Sequence, residues 1–323
     1  MDITKVKNTK HIPIFVRDRI TRASLPLANC STIERTTERI GSSSMHAEVY
    51  ALESGAVAKC VPESVQSLNE LNYLELLSVE CTSGRCENFP ILYTSLSCKN
   101  IQYNNDILQI QSFEKLTENN KDVCVRYIKK HIRSIKDQNV YNMVSKRPMT
   151  TCRVVQSCWN FFSRYTSIRN HGYIPDIISN VFIVERANGD LKMLLENQRV
   201  SLKDMMKLIF SIVYALWYLN NKLKLKHGDL HIGNILLLYT RPRTKTYDIS
   251  GNKYIIREQE YTPILWDFET MEKIDQNNTD DLVKLLDSLR TNTTIRERQS
   301  KRVWDFLMRI PERETIDWVY NRV

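Results

Sequence analysis

The sequence predicts an α+β fold with two units, a small strand-rich unit followed by a larger, mainly helical one. Residues 40–61 alternate between polar and apolar side chains, which is typical of strands, whereas apolar residues recur with helical period from residue 201 onward. A chain of 323 residues also has room for two packed units. We therefore expect a first unit over residues 1–186 and a second over residues 187–323.

The composition is that of an ordinary globular protein. Hydrophobic residues make up 42% of the chain and charged residues 26%, which excludes a disordered or collagen-like chain. The longest apolar run, Leu208 to Leu219, has 12 residues and contains Ser211, so it is too short to span a bilayer. The first ten residues contain no apolar signal core. We expect a cytoplasmic protein without a membrane span.

Eight cysteines are scattered along the chain, and in the absence of a secretory signal this pattern favours reduced thiols over disulfides. Cys81, Cys86 and Cys98 suggest an alternative, a zinc site. Their spacing is loose and no histidine lies nearby in the sequence, so thiols are the favoured interpretation.

The net charge of +9 is unevenly distributed. Residues 99–180 hold 13 basic and 6 acidic side chains, and residues 122–136 within them have an amphipathic helical pattern. We interpret residues 99–180 as a basic insertion in the first unit. Its field would attract an acidic protein, a nucleic acid or a phosphorylated surface. A solvated basic face that aids solubility explains the charge equally well.

The first unit opens with a predicted hairpin. Two alternating runs, residues 48–52 and 56–61, flank the turn Glu53-Ser54-Gly55. Apolar runs over residues 89–96 and 181–184 predict two further strands. Four leucines spaced three residues apart predict an amphipathic helix after the hairpin: Leu68, Leu71, Leu74 and Leu77.

The second unit begins with a long buried helix. Ser201 and Asp204 form a capping sequence, and apolar residues then recur with helical period as far as Trp217. The periodicity stops near Lys226, where a polar loop begins. An apolar strand is predicted beyond this loop, over residues 235–238.

A hairpin and a further helix are predicted toward the end of the chain. The hairpin arms are residues 245–249 and 253–260, joined by the turn Ser250-Gly251-Asn252. The run Thr279 to Leu286 predicts a capped helix.

The residues most suited to chemistry lie in the loop His227-Gly228-Asp229-Leu230-His231-Ile232-Gly233-Asn234. Apolar neighbours anchor a carboxylate, Asp229, and a carboxamide five residues later, Asn234. A second carboxylate, Asp267, follows another apolar run. A carboxylate oxygen can accept a proton, and the oxygens of Asn234 and Asp267 suit a Mg²⁺ ion that nucleotide phosphates complete.

These residues resemble the catalytic loop and the metal-binding motif of the eukaryotic-type protein kinase superfamily. His227-Gly228-Asp229 stands where the family has H-R-D, Asn234 where it has the metal-binding asparagine, and Asp267-Phe268-Glu269 where it has D-F-G. The resemblance covers roughly residues 40–290 and is nearest to haspin-like kinases and to divergent serine/threonine kinases of large DNA viruses, such as asfarviruses and poxviruses. It implies a bilobal fold with a β-rich first lobe and a shortened helical second lobe.

The resemblance also implies roles for residues of the first unit. Ala56-Val57-Ala58-Lys59 is similar to the family's V-A-I-K, so Lys59 would hold the α- and β-phosphates of ATP and Val57 would line the adenine. Glu70 would pair with Lys59 from the following helix, and Glu75 is the alternative partner.

Two further segments complete the implied nucleotide site. Residues 40–49 resemble the glycine-rich loop that covers the phosphates, and residues 184–191 resemble the hinge whose backbone contacts adenine. The resemblance implies cofactor contacts for these residues: Gly41, Ser42, Ser43, Ser44, Val49, Glu185 and Ala187.

Several positions depart from the family pattern. The phosphate loop keeps only Gly41 of its glycines and is one residue longer than usual. Gly228 replaces an arginine that in many members grips a phosphorylated activation loop, Glu269 replaces the last glycine of D-F-G, and no A-P-E follows. The metal-binding asparagine lies 33 residues before the D-F-G position, a spacing that the predicted hairpin explains. Asp281 would either brace the catalytic loop or be an exposed carboxylate favoured by the helix dipole.

The resemblance implies an ATP-dependent serine/threonine protein kinase. Asp229 and Lys59 would be its catalytic residues, and Asn234 and Asp267 would hold Mg²⁺, for which Mn²⁺ can substitute. The expected partner is a protein substrate of acidic character, and nucleic acid is not required. A viral kinase of this type would act in the host cytoplasm and could be carried in the virion.

Two other functions stay open. The loop from His227 to Asn234 is close to the H-G-D-L-H-x-G-N of aminoglycoside and choline kinase relatives, which also lack A-P-E, and this favours a small-molecule kinase. The loss of loop glycines favours a pseudokinase scaffold that would use residues 99–180 for interactions. The retention of Lys59, Asp229 and the two metal ligands argues against a scaffold.

Overall fold

The computed structural model describes residues 13–24, 28–35, 38–40, 47–99, 101, 178–275, 279–312 and 315–323. Within them the fold is mixed α/β, with a β-sheet lobe followed by a mainly helical part, as predicted. Almost the whole predicted insertion, residues 102–177, lies outside the described residues. The same holds for four residues expected to contact phosphates: Gly41, Ser42, Ser43 and Ser44. The unit boundary between residues 186 and 187 stays a prediction.

A four-stranded antiparallel sheet forms the first part of the fold, in the spatial order β1-β2-β4-β3. Its strands are β1 (Glu48–Ala51), β2 (Ala56–Pro62), β3 (Leu92–Lys99) and β4 (Ile178–Glu185). The predicted hairpin is confirmed, because β1 and β2 pair with Val49 opposite Lys59. Gly55 in its turn has a φ of +81°, which glycine adopts without strain.

Strand β3 begins three residues later than predicted. Phe89 and Ile91 are buried as expected, but ladder pairing with β4 starts at Leu92, opposite Val184. Pro90 has no backbone N–H to donate to a ladder, which is consistent with this late start. Strand β4 contains the predicted run 181–184 and extends it at both ends.

Two short helices that the sequence did not predict precede the sheet, α1 (Ile14–Ile20) and α2 (Cys30–Arg35). A disulfide joins Cys30 of α2 to Cys98 of β3, whose Cα atoms are 5.4 Å apart. The expectation that all cysteines are thiols is therefore wrong for this pair, which 68 residues separate in sequence. Because Cys98 is bonded in this way, the proposed zinc site is not formed, and the described ranges contain no cluster of metal-binding His, Cys, Asp and Glu side chains.

Helix α3 (Val65–Thr82) confirms the predicted helix, and Leu74 and Leu77 are buried as expected, but the rest of the buried face differs from the prediction. Ser64 caps its start, accepting a 3.0 Å hydrogen bond from the backbone N–H of Ser67. Leu68, expected to be buried, is 45% exposed. A spacing of three residues falls about 60° short of a full turn, so the four leucines spiral around the helix. The buried stripe instead contains these residues: Ser67, Glu70, Leu74, Leu77, Ser78 and Cys81.

The helical part contains α4 (Leu191–Asn197), α5 (Leu202–Lys222), α6 (Asp280–Arg290), α7 (Thr293–Arg298), α8 (Lys301–Arg309) and α9 (Thr315–Tyr320). The long buried helix is confirmed as α5, and its Ser201 side chain caps the start by accepting from the N–H of Asp204. Thr279 before α6 makes no side-chain cap hydrogen bond, because its backbone is helical rather than extended. None of the described helices is both long enough and apolar enough to cross a membrane.

A long antiparallel hairpin connects the predicted metal ligands. It consists of β7 (Ile235–Ile249) and β8 (Asn252–Leu265), whose turn residues Ser250 and Gly251 both have positive φ, as two-residue hairpin turns require. The predicted hairpin is therefore confirmed, and it is continuous with the predicted strand at residues 235–238. Since Ile235 lies opposite Leu265, the hairpin returns the chain to its starting point.

Two small strand pairings attach this hairpin and the loop before it to the helical part. Strand β5 (Gly189–Asp190) pairs with β7, and β6 (Leu225–Lys226) pairs with β9 (Glu272–Lys273). The second pairing places the residues before His227 beside those that follow Asp267. The loop and the second carboxylate are thus held side by side.

Candidate active site

Lys59 of β2 lies between two carboxylates that come from distant parts of the chain. Its Nζ is 2.5 Å from Oε1 of Glu70 on α3 and 2.7 Å from Oδ1 of Asp267, which follows β8. Lys59 and Glu70 are both buried, whereas Glu75 lies on the exposed side of α3. The structure therefore contains the ion pair with Glu70 rather than one with Glu75, and it brings together three of the predicted site residues.

The opposite charges of Lys59 and Asp267 each favour the charged form of the other side chain. Burial by itself lowers the pKa of Lys59, but the carboxylates of Glu70 and Asp267 outweigh it and raise the pKa well above the ordinary value. Burial tends to raise the pKa of Asp267, and the Lys59 ammonium outweighs this and lowers it. Burial raises the pKa of Glu70 despite its pairing with Lys59. Lys59 and Asp267 are thus both charged at neutral pH.

The predicted catalytic loop is held by Asp281 of α6. Its carboxylate accepts the backbone N–H groups of His227 at 2.7 Å and Gly228 at 2.9 Å. Asp281 is 2% exposed, so the interpretation as an exposed helix-start carboxylate is wrong and the bracing contact is present. Charge-assisted hydrogen bonds of this kind are among the stronger polar contacts in proteins.

His227 links the loop to the D-F-G position. Its Nε2 is 2.8 Å from the backbone oxygen of Trp266, and its ring lies 5.5 Å from that of Phe268. Burial lowers the pKa of His227, so the ring is neutral at pH 7. Because a carbonyl oxygen only accepts, Nε2 carries the proton and donates a hydrogen bond to the backbone oxygen of Trp266.

Gly228 explains one departure from the family pattern. Its φ is +83°, and a Cβ atom at this position would lie 2.4 Å from the backbone oxygen of Thr270. An arginine therefore does not fit where H-R-D has one. The Thr270 side chain also donates a 3.0 Å hydrogen bond to the backbone oxygen of His227, which fixes this close approach.

Asn234 is hydrogen-bonded to the backbone of Asp229 and to that of Trp266, the residue before Asp267. It ends a 3₁₀ turn, Ile232–Asn234, and its Nδ2 donates to the backbone oxygen of Asp229 at 2.9 Å. Its own backbone oxygen accepts from the N–H of Trp266 at 2.9 Å. Its side-chain oxygen forms no hydrogen bond with the part of the chain that the structure describes.

Asp267 is held in an unusual backbone conformation, with a φ of +68°. A non-glycine residue in this region carries strain, and such positions are frequent at functional sites. One carboxylate oxygen binds Lys59, and the side chain remains 37% exposed. The free side-chain oxygens of Asp267 and Asn234 are hard donors of the type that Mg²⁺ prefers when phosphates and waters complete its shell. The residues present therefore fit the predicted metal.

Asp229, the predicted catalytic carboxylate, is exposed. The preceding residue, Gly228, is held by two side chains of α6. Lys284 donates to its backbone oxygen, and Asp281 accepts from its backbone N–H. The loop thus presents Asp229 to solvent from a fixed backbone. Its catalytic role stays a prediction.

The predicted hinge contains a structural ion pair that the sequence did not suggest. The carboxylate of Glu185 accepts from Nε of Arg19 on α1 at 2.9 Å and from the N–H of Ile91 at 2.9 Å. Its side chain is therefore committed to the fold, and only its backbone could contact adenine. Ala187 is half-buried and lies two residues further along the chain. Arg19 was missed because the segment around it has no periodic pattern.

The predicted adenine-lining residues lie on the Lys59 face of the sheet. Val57 is two residues from Lys59 on β2, and Val49 is directly opposite Lys59 on β1, so the three side chains share one face. Val57 is 5% exposed and Val49 is half-buried. These positions agree with the expected geometry, and their contact with a nucleotide stays a prediction.

Comparisons with known proteins give a limited sequence match and a weak structural one. No protein-family model matches the chain. A protein of Invertebrate iridescent virus 3, described as a probable kinase, is 33% identical over 78 residues, which are 24% of this chain and 15% of that protein. The chain therefore matches only a small part of its relative's length.

A solved crystal structure of a kinase domain aligns with 78% of this chain and 56% of its own, at 13% identity and a TM-score of 0.37. The narrower resemblance to haspin-like kinases stays a prediction. The chain is thus similar to a viral probable kinase over 78 residues, and the structure brings Lys59, Glu70 and Asp267 together beside the loop that holds Asn234.

Proposed function

We propose that this chain is an ATP-dependent phosphotransferase that transfers the γ-phosphoryl group of ATP to a serine or threonine hydroxyl of a protein. The observation that carries the proposal is the buried Lys59 ammonium between Glu70 and Asp267, next to the loop that holds Asn234. Phosphoryl transfer depends mainly on positioning and on neutralising charge, and a fixed cation beside oxygen ligands provides for both.

Lys59 has one donor left for a nucleotide. An ammonium group has three N–H donors, and Glu70 and Asp267 each take one. The third would bind an α- or β-phosphate oxygen. A magnesium ion, when bound, would supply charge neutralisation on the phosphates, and the free oxygens of Asn234 and Asp267 would hold it.

Asp229 would orient the acceptor hydroxyl. It is exposed, and its backbone oxygen is fixed by Asn234, so its carboxylate is presented from a rigid loop next to the proposed metal site. A carboxylate in this place can accept the hydrogen bond of a substrate hydroxyl and take its proton as the bond to phosphorus forms.

A protein of acidic character is the proposed substrate. The sequence excess of basic residues in 99–180 suits an acidic macromolecule better than a small metabolite. The match to a viral probable kinase supports a viral origin, and with it action in the host cytoplasm.

A small hydroxylated metabolite is the second candidate substrate. Residue 267 is followed after 13 positions by the start of α6, whose Asp281 and Lys284 contact the catalytic loop directly. A connection this short has little chain with which to form a peptide-docking platform. The loop sequence from His227 to Asn234 also resembles that of small-molecule kinases.

The proposal is tested by incubating the purified chain with radiolabelled ATP and Mg²⁺, and with casein, myelin basic protein or a panel of hydroxylated metabolites. Label on protein that falls by a factor of roughly 100 or more in Asp229→Asn supports protein phosphorylation. Label on a metabolite alone supports the second candidate. No transfer, with no thermal shift at millimolar ATP and Mg²⁺, contradicts both and favours a scaffold.

A further inference from the structure

The loop between α3 and β3 is tied to the long hairpin by a buried charge cluster. Oε1 of Glu87 in this loop is 2.7 Å from Nζ of Lys245 on β7, and its Oε2 pairs with Arg243. The side chains of Glu87 and Lys245 are only 11% and 4% exposed. Lys245 also donates to Oγ1 of Thr262 on β8 at 2.8 Å. The hairpin therefore holds the loop that follows α3 through these polar contacts.

The next residue ties the same loop to the strand that carries Asp267. Asn88 donates from Nδ2 to the backbone oxygen of Pro263 at 2.7 Å, and its own backbone oxygen accepts from Leu265 at 3.0 Å. Asp267 follows two residues after Leu265. The end of α3 and the approach to Asp267 are thus parts of one hydrogen-bonded unit.

A third contact reaches α3 itself. Glu80, in its last turns, accepts a 2.6 Å hydrogen bond from the Tyr218 hydroxyl on α5. Glu70 lies ten residues earlier on the same helix, about 15 Å away at 1.5 Å per residue. A helix moves as a rod, so a tilt at its C-terminal end, which Glu80 and the following loop with Glu87 hold, would shift Glu70 relative to Lys59.

We infer that Glu87 is a positioning residue, held by Arg243 and Lys245 so that α3 keeps Glu70 in contact with Lys59. The Lys59–Glu70 pair would then be maintained by contacts built into the chain itself, from the hairpin that also connects Asn234 and Asp267. The effect on catalysis rests on the proposed function, whereas the effect on the position of Lys59 does not.

The test compares Glu87→Gln with wild type by two measurements. Misplacement of a catalytic group by about 1 Å can cost roughly 100-fold in rate, so we expect kcat to fall between 10- and 100-fold, with the KM for ATP changed less than about threefold. Lys59 released from Glu70 should also become reactive. We expect acetylation of Lys59 by acetic anhydride, measured by mass spectrometry, to speed up at least about fivefold, in a readout that needs no enzyme activity.

Two further variants keep the test decisive. Glu258→Gln is the matched control, because Glu258 lies on the same hairpin and pairs with Lys203 in an exposed contact, and it should change neither measurement. Arg243→Gln removes the more exposed partner of Glu87 and should give an intermediate effect even where Glu87→Gln fails to fold.

The outcomes separate the two proposals. If acetic anhydride acetylates Lys59 at the wild-type rate in folded Glu87→Gln or Arg243→Gln protein, the positioning role is overturned. A wild-type protein that transfers no phosphate, but whose Lys59 becomes reactive in Glu87→Gln, would contradict the proposed function while supporting the positioning role.

Discussion

Asp281 accepts a 2.7 Å hydrogen bond from the backbone N–H of His227, although 54 positions separate the two residues. The same carboxylate accepts from Gly228, so α6 defines the backbone from which Asp229 is presented. The start of one helix thereby helps to fix the candidate catalytic loop, together with Thr270, which donates to the backbone oxygen of His227.

Asp281→Asn should weaken both the fold and the transfer activity. Its amide retains one acceptor oxygen and places an NH₂ group against the second backbone N–H, which leaves a buried donor unsatisfied. We expect a loss of about 2 to 3 kcal/mol in the free energy of unfolding, measured by urea denaturation. Asp287→Asn, on an exposed position of the same helix, is the control and should be neutral. An Asp281→Asn protein as stable as wild type would show that the brace contributes little.

Gly228→Ala should separate a steric clash from simple backbone strain. Gly228 and Gly251 have similar φ values, +83° and +89°, but only Gly228 has a backbone oxygen within 2.4 Å of an added Cβ. The strain of positive φ costs about 1 kcal/mol in either case. We expect Gly251→Ala to lose about this much stability in a urea denaturation experiment and Gly228→Ala to lose roughly 2 to 4 kcal/mol. Equal losses would mean that Thr270 moves aside freely.

Lys59→Met should destabilise the protein as well as abolish transfer. Lys59 neutralises Glu70, which is 2% exposed, so the substitution leaves a buried carboxylate without its cation. Removal of one member of a buried pair typically costs about 3 to 5 kcal/mol. The double variant Lys59→Met with Glu70→Gln should recover part of this loss in thermal or urea unfolding. No recovery would show that the Glu70 charge is not the source of the loss. Asp229→Asn, at an exposed position, is the cleaner probe of activity.

The contacts that could be predicted from sequence are those set by local pattern or by a motif. The hairpin explained the spacing of Asn234 and Asp267, since a period of two and a turn sequence specify a hairpin locally. The bracing role of Asp281 could be named only as one of two alternatives, because sequence does not say which way a helix-start carboxylate faces. The resemblance supplied the Lys59–Glu70 pair.

The contacts that could not be predicted join residues with no shared pattern. Arg19 and Glu185 are 166 positions apart, and the disulfide partners Cys30 and Cys98 are 68 apart. Nothing in the sequence distinguishes Glu87 from a solvated loop carboxylate, because burial by a distant hairpin leaves no mark in neighbouring residues. Tertiary packing determines these contacts, and it determined the buried stripe of α3 as well.

The contribution of Lys245 to the stability of the protein should rise with pH in the alkaline range. Burial lowers the pKa of Lys245 from 10.5 to about 8, although Glu87 opposes the shift. Between pH 8 and 10.5 the unfolded chain holds a proton on this lysine that the folded protein has released, so a higher pH favours the folded state. Below pH 8 both states are protonated, and the full cost of burying the charge is present.

This pH effect is measured as the difference in the free energy of unfolding between wild type and Lys245→Met at pH 7, 8, 9 and 10. We expect the difference to be flat from pH 7 to 8 and then to change in favour of wild type by up to about 1.4 kcal/mol per pH unit. Ionisation of buried tyrosines and cysteines affects both proteins alike and cancels in the comparison. A difference that stays constant to pH 10 would mean that Glu87 keeps Lys245 charged throughout, because the ion pair then outweighs burial.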